Sequence, residues 1–361
     1  MHRTAAELDG AWRVLGGVFS SDPARSRQAG AELGFAPERC YPDVAAMLAA
    51  ERARDDPIDA VAIMSPNDTH YAVSAAALDA GLDVMCDKPV TGTLAEARDL
   101  AARAKAHERL FAIAHAYAAY PMTRHARTLA YDGTLGTIRL VQVEYIQSGM
   151  ATRLEDAALT SRLKWILDPA RSGQSLVMSA IGCHAQHLAC FAIGQRIARV
   201  CADMGSLVPG RTVHDYASAL LRFEGGARGT FTATQAAAGG ENDIRLRVYG
   251  DKGQVDWSHR ESNYLRVSLQ GEPPRTLGRG DPWLPPAEPG TARAPRGHPE
   301  GLREAFATLY DELARERMLR TLGEAPLPRL YPSIEDGVHT MAFIEACLAS
   351  SAAGQWTDVA A

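Results

Sequence analysis

The sequence predicts an α/β protein in two parts, a parallel sheet followed by strands that pair mostly antiparallel. Three observations carry this reading. The chain has 361 residues, and at roughly 100–200 residues per domain that suggests two domains. In the first third, short apolar runs alternate with helical stretches, the rhythm of βαβ units. After about residue 134 the pattern changes to strict alternation of apolar and polar residues, as in antiparallel strands solvated on one face.

The elements follow in order. Val14 to Phe19 (VLGGVF) reads as a strand ending at Ser20-Ser21-Asp22-Pro23. Pro23 suits a first helical turn with Asp22 as N-cap, and that helix stops near Gly34. A second helix follows Pro42-Asp43. Ala60 to Met64 (AVAIM) is a continuous apolar run, as expected of a strand buried on both faces. A helix from about Thr69 to Ala80 is closed by Gly81. Asp83 to Asp87 (DVMCD) is the next strand, then come the helix LAEARDLAARAKAH and the strand Leu110 to His115. Beyond, residues 137–147, 216–223, 227–235 and 244–250 read as strands, and Ser175 to Ile193 as one helix. Residues 271–299 are rich in Pro and Gly and read as a loop or lid. Two helices, about 300–322 and 334–351, finish the chain.

Composition excludes several classes. A net charge of −5 offers no basic field for nucleic acid. No run approaches the ~18 apolar residues of a membrane helix. The opening MHRTAAELDG carries charge and lacks the apolar core of a secretory signal. The six cysteines form no Cys-x-x-Cys pair and read as reduced thiols, so the expected location is cytoplasmic. In parallel sheets ligands bind at the carboxyl ends of the strands. Here those ends are Ser20-Ser21, Ser65-Pro66-Asn67, Cys86-Asp87-Lys88-Pro89 and His115-Ala116-Tyr117, all polar or punctuated by proline.

AVAIMSPNDTH (60–70) resembles the strand–TPNxxH motif of the Gfo/Idh/MocA family, the glucose–fructose oxidoreductase and inositol dehydrogenase type. DVMCDKP (83–89) is similar to its Glu-Lys-Pro motif, with Asp87 in place of Glu. Gly133-Thr134-Leu135-Gly136, Trp165-x-x-Asp168-Pro169, Arg171-Ser172-Gly173 and Gly182-x-His184 match further along, so the resemblance spans nearly the whole chain. It implies a Rossmann-like doubly wound parallel sheet over 1–133 and, over 134–361, an α+β domain with an open, mostly antiparallel sheet that binds substrate and makes homodimers or homotetramers. It also implies NAD(P)-dependent hydride transfer to or from a secondary alcohol of a sugar, cyclitol or related polyol.

Such chemistry needs a cofactor held face-on to the carbinol carbon, a group that takes the hydroxyl proton, and polar groups that orient the polyol. The resemblance assigns the catalytic roles to Lys88 and His184, with His184 the proton acceptor. It places Ser65, Pro66, Asn67, His70, Asp87 and Lys88 along the cofactor, with Trp165 stacking there or against the sugar. His115 and Tyr117, after a strand end, and Arg171 are read as substrate-binding together with His184. Ser20 and Ser21 stand where NAD enzymes place an acid on the ribose diol, and Arg25 is close; this leans toward NADP over NAD. His184 and His187 share a helical face near Cys183 and Cys190, but no carboxylate at ligand spacing accompanies them, and no metal is expected.

Two departures stand against the family pattern. The family opens with a strand and a glycine-rich loop that receives the pyrophosphate. Here Met1-His2-Arg3-Thr4-Ala5-Ala6 reads as the middle of the helix after that loop, which predicts a sheet lacking its first strand and a start placed downstream of it. The family's Asp-x-Gly-x-His reads Ala180-Ile181-Gly182-Cys183-His184 here, so the carboxylate that helps orient substrate and histidine is absent. The alternative function is therefore a diverged redox-neutral enzyme or a ligand-binding protein on the same scaffold.

Overall fold

A computed structural model describes residues 1–156, 161–173, 175–282, 284 and 292–360. The chain opens with a short helix α1 (His2–Ala6), then α2 (Pro23–Glu32) and α3 (Val44–Arg52). Asp22 and Asp43 cap the latter two, each accepting a backbone N–H (Arg25 and Ala46) at 2.8 Å. Next come β1 (Ala60–Ile63), α4 (His70–Asp79), β2 (Asp83–Cys86), α5 (Leu94–Ala106) and β3 (Phe111–Ile113). The three strands form a parallel sheet in the order β1-β2-β3.

Three expectations change here. The segment Val14–Phe19 makes only a single bridge, Gly17 to Cys40, because the described residues offer it a partner on that side alone. The run 60–64 is not buried on both faces: Ala60 and Val61 are half-buried and Ala62 is exposed, as on an edge strand flanked on one side. The last strand is shorter than 110–115, since the chain turns at His115, whose N–H donates back to the Ile113 carbonyl at 2.8 Å.

The second part begins with α6 (Pro121–Tyr131) and β4 (Ile138–Ile146), and continues through α7 (Ser161–Ile166), α8 (Pro169–Ser172), a π-helical turn (Met178–Gly182) and α9 (Cys183–Ile193). Then follow β5 (Ile197–Gly205), β6 (Tyr216–Phe223), β7 (Arg228–Thr234), β8 (Asp243–Gly250), β9 (Gly253–Ser258), β10 (Tyr264–Leu269) and β11 (Arg275–Gly278). Helices α10 (Leu302–Leu322) and α11 (Ile334–Ala353) and a two-residue β12 (Thr357–Asp358) close it. The nine strands run β11-β10-β9-β8-β4-β7-β6-β5-β12. Every pair is antiparallel except β4 with β7, which is parallel.

The period-2 pattern explains the layering. On β4, Val141, Val143 and Tyr145 are buried while Gln142 and Glu144 face out; on β8, Ile244, Leu246 and Val248 are buried while Arg245 and Arg247 face out. Helix α9 covers β4, β7 and β8, and α11 lies along β5. The buried rings of Phe231 (β7) and Phe343 (α11) meet edge to face at 5.4 Å.

The predicted single helix over 175–193 is interrupted by the π-helical turn. The predicted loop 271–299 contains β11, and residues 283 and 285–291 of it lie outside the described residues. Its return limb is fixed in place: the buried guanidinium of Arg279 donates to the carbonyls of Ala294 (2.6 Å), Pro295 (3.1 Å) and His298. Among the described residues no helix is long and apolar enough to cross a membrane.

Candidate active site

The site is built where β2 ends. The ladder runs one step past the strand, with Asp87 N–H donating to Ile63 (2.8 Å) and Ala114 N–H to Cys86 (2.9 Å). This aims Asp87 and Lys88 off the carboxyl edge of the sheet; the following Lys88–Pro89 peptide is cis. The ammonium of Lys88 then crosses to the second part of the chain. It donates to the carbonyls of Ala180 (2.6 Å) and Ser179 (3.4 Å). Those carbonyls belong to the π-helical turn, a geometry frequent at functional sites. Lys88 is thus bonded to the backbone of Ala180, the residue that stands in the family's aspartate position. The Ser179 hydroxyl turns the other way, to the carbonyls of Ser172 and Ser175.

One turn on, His184 opens α9 with its ring half-buried. Its Nδ1 lies 3.3 Å from Nδ1 of His115, and its Nε2 has no partner among the described residues. Burial and the nearby Lys88 charge hold the His184 imidazole well below its ordinary titration range, so it is neutral at pH 7. Tyr117 stands edge-on to His184, with ring centroids 5.1 Å apart. Its hydroxyl meets that of Tyr145 at 2.6 Å, and Tyr145 donates to Asn242 Oδ1 at 2.7 Å. Burial and the Tyr117 neighbour push the Tyr145 phenol upward, so it remains a neutral hydroxyl.

The turn after β1 is tied to the same edge. His70 is buried between two carbonyls, Pro89 at 2.8 Å from Nδ1 and Ser65 at 2.9 Å from Nε2. Both ring nitrogens are engaged, so His70, read as cofactor-binding, acts as a strut joining the Ser65-Pro66-Asn67 turn to the Lys88-Pro89 loop. Arg171, read as substrate-binding, donates to Asp68 at 2.8 Å and ties α8 to that turn. Ser20 accepts from Asp22 N–H at 3.1 Å, and Ser21 and Arg25 are exposed; no contact among the described residues joins them to the Asn67 turn. Trp165 is half-buried on α7.

The edge contains polar groups suited to a nicotinamide dinucleotide. Asn67 is half-buried, and among the described residues its side-chain amide has no hydrogen-bond partner, leaving a donor and an acceptor. Burial pushes the Asp87 carboxyl up, but the adjacent His2, Lys88 and His70 outweigh it and hold it down to about 2. It is therefore ionised and can accept hydrogen bonds from hydroxyls. Lys88 retains a third N–H. The described residues contain no glycine-rich loop for a pyrophosphate, so this fit concerns the ribose and nicotinamide end. Tyr145 and Asn242 carry no sequence signal as site residues, nor does Gln147, whose amide N–H donates to both of them. The alternation in TIRLVQVEYIQ puts Tyr145 on the buried face, but nothing in sequence points to Asn242.

The βαβ sheet thus carries a Lys at its carboxyl edge, facing a helix that presents a neutral histidine. Residues 2–115 match the model of an oxidoreductase family with an NAD-binding Rossmann fold, and residues 123–256 that of the GFO/IDH/MocA C-terminal domain. The chain belongs to the GFO/IDH/MocA oxidoreductases. It is 32% identical to the uncharacterized oxidoreductase YfiI of Bacillus subtilis over 99% of this chain and 92% of that one. An inositol dehydrogenase homolog from Azotobacter vinelandii, solved with NAD+, superposes with a TM-score of 0.93 at 35% identity, over 99% of this chain and 92% of that one. The same homolog solved with NADH and myo-inositol gives 0.90 at 34% identity, over 99% and 93%.

Proposed function

We propose that this protein transfers hydride to or from a secondary alcohol carbon of a sugar, cyclitol or related polyol. The observation that carries the reading is Lys88, bonded to the turn just before His184, whose Nε2 has no partner among the described residues. A bound nicotinamide supplies the hydride acceptor or donor. Asn67, Asp87 and Lys88 would hold its ribose end. In the oxidative direction His184 Nε2 takes the hydroxyl proton as hydride leaves the carbon, and the Lys88 ammonium stabilises the developing alkoxide. Tyr117 forms a wall of the polyol pocket. The neutral Ser20 and Ser21 with Arg25 favour NADP, while the similar structures hold NAD+ or NADH. The outward face of the large sheet, where Glu144, Arg245 and Arg247 stand half-buried, supports a homodimer or homotetramer of the 38.8 kDa chain.

The test is fluorescence titration of NADH and NADPH, followed by turnover on a polyol panel, with mass read by light scattering. His184→Asn is expected to bind cofactor within a few-fold of wild type and to lose about 10²–10⁴ in kcat, whereas Lys88→Met is expected to weaken cofactor binding as well as turnover. Wild-type turnover by His184→Asn would remove the proton-transfer role. Ala180 supports a second reading, a redox-neutral or ligand-binding member of the family. Failure of the wild-type chain to bind either cofactor would favour it.

A further inference from the structure

We propose that His115 is the positioning partner of His184, fixing its tautomer in the role the missing carboxylate at Ala180 would have had. The claim rests on His184 being the proton-transfer group. Three observations lead to it. The two rings approach through like atoms, Nδ1 to Nδ1 at 3.3 Å, with planes at 87°. That contact is a hydrogen bond only if one Nδ1 carries a proton and the other does not. The tautomers are therefore locked as a complementary pair. The His115 ring is itself fixed: it is 2% exposed and stacks parallel on His187, with centroids 4.5 Å apart and planes at 2°. Among the described residues no carboxylate hydrogen-bonds either ring, so His115 is the hydrogen-bonding partner of His184.

Both rings are driven to the neutral form. Burial, then His187, His184 and Lys88, hold His115 well below its ordinary range. Two neutral rings carry one proton each, one between the Nδ1 atoms and one on the Nε2 of the ring that accepts; exchange between the two states moves both, the Nε2 proton by way of solvent, and the state adopted sets the direction of chemistry. With the proton on His184 Nδ1, His184 Nε2 is a bare lone pair that accepts from an alcohol. With the proton on His115 Nδ1, His184 carries its own on Nε2 and donates to a carbonyl being reduced. A carboxylate partner would favour only the first state. The imidazole partner excludes the same Nδ1 protonation on both rings, so the tautomer of His184 is fixed by that of His115.

Long-range ¹⁵N–¹H NMR of the histidine-labelled full chain reads each tautomer without substrate or cofactor. The expected result is one Nδ1-protonated and one Nε2-protonated ring for His115 and His184. Two rings both protonated at Nε2, or both at Nδ1, overturn the proposal whatever any variant does. In His115→Phe, which keeps a ring on His187, the His184 signals should move toward tautomer-averaged values. Unmoved His184 signals in a variant with native melting behaviour would also overturn it. In the polyol assay His115→Phe should lose about 10²-fold in kcat with KM little changed, and His115→Asn, which restores a polar partner, should recover part of that. If His184→Asn keeps full turnover while the complementary tautomers are seen, the pairing stands and the proton-transfer reading fails.

Discussion

At the scale of the residue, the chain buries imidazoles that its unfolded form would protonate. His115, His184 and His187 pack together, and His339 is buried under β5, where Ile197 N–H donates to its Nε2 at 3.2 Å. That bond requires an unprotonated Nε2, and burial, with Arg196 beside it, lowers His339 to about 4. The other three are lowered also, mainly by burial. The unfolded values lie near 6.5. Above that pH both states are neutral and the stabilisation is fully present. Below it the unfolded chain binds protons that the folded chain refuses, so stability falls with pH. Each such group contributes up to about 1.4 kcal/mol per pH unit. Urea unfolding between pH 7 and 5 should show a slope of more than one proton, and His339→Gln, which keeps an acceptor for Ile197, should remove about one proton of it. A flat profile would mean that these rings are not neutral in the fold.

At the scale of the element, the π-helical turn is the feature that sequence least discloses. Local signals were readable where the chemistry is local: Asp22-Pro23 and Asp43 cap their helices, and the alternation in 137–147 and 244–250 gave β4 and β8 with their inward faces. Lys88 and His184 were readable because they sit in motifs. What they touch is not, because Ala180 O and His115 Nδ1 arrive from distant segments. The edge position of β1 and the parallel β4–β7 pair are likewise properties of neighbours. Gly182 shows the same limit. In an exposed helix interior, Gly→Ala gains up to about 1 kcal/mol. Here a Cβ would stand 2.8 Å from Met178 Sδ, 3.2 Å from Phe231 Cζ and 3.4 Å from the Val177 carbonyl. Phe231 is buried under α11 and has little room to yield. Gly182→Ala should therefore destabilise by about 1–3 kcal/mol. A rise in unfolding midpoint would show that the turn has slack.

At the scale of the molecule, the boundary near residue 133 does not separate two independent bodies. Helices α10 and α11 come late in the chain yet return to the first sheet. Ser333 bridges to Ala112, and Ile113 N–H donates to the Pro332 carbonyl at 2.8 Å. Helix α10 also holds the opening segment, through Trp12 Nε1 to the Tyr310 carbonyl and His2 Nδ1 to its hydroxyl, both 2.8 Å. The strongest tie is Asp83 at the start of β2. It is 3% exposed, accepts Leu110 N–H at 2.8 Å, and pairs with Arg317 of α10 at 2.6 Å. Arg317 continues to Asp59 at 2.5 Å. One carboxylate thus joins β2, the approach to β3 and a helix more than 200 residues away. Asp83→Ala would leave the Leu110 N–H without its acceptor and Arg317 with Asp59 alone. Arg317 is partly solvated, so the expected loss is about 2–4 kcal/mol, toward the low end for a buried pair. Because the tie spans both parts, the loss should lower the midpoint of one shared transition. Calorimetry that resolved two transitions, with only the first moved by Asp83→Ala, would instead make the parallel sheet a separately folding unit and α10 a passive cover.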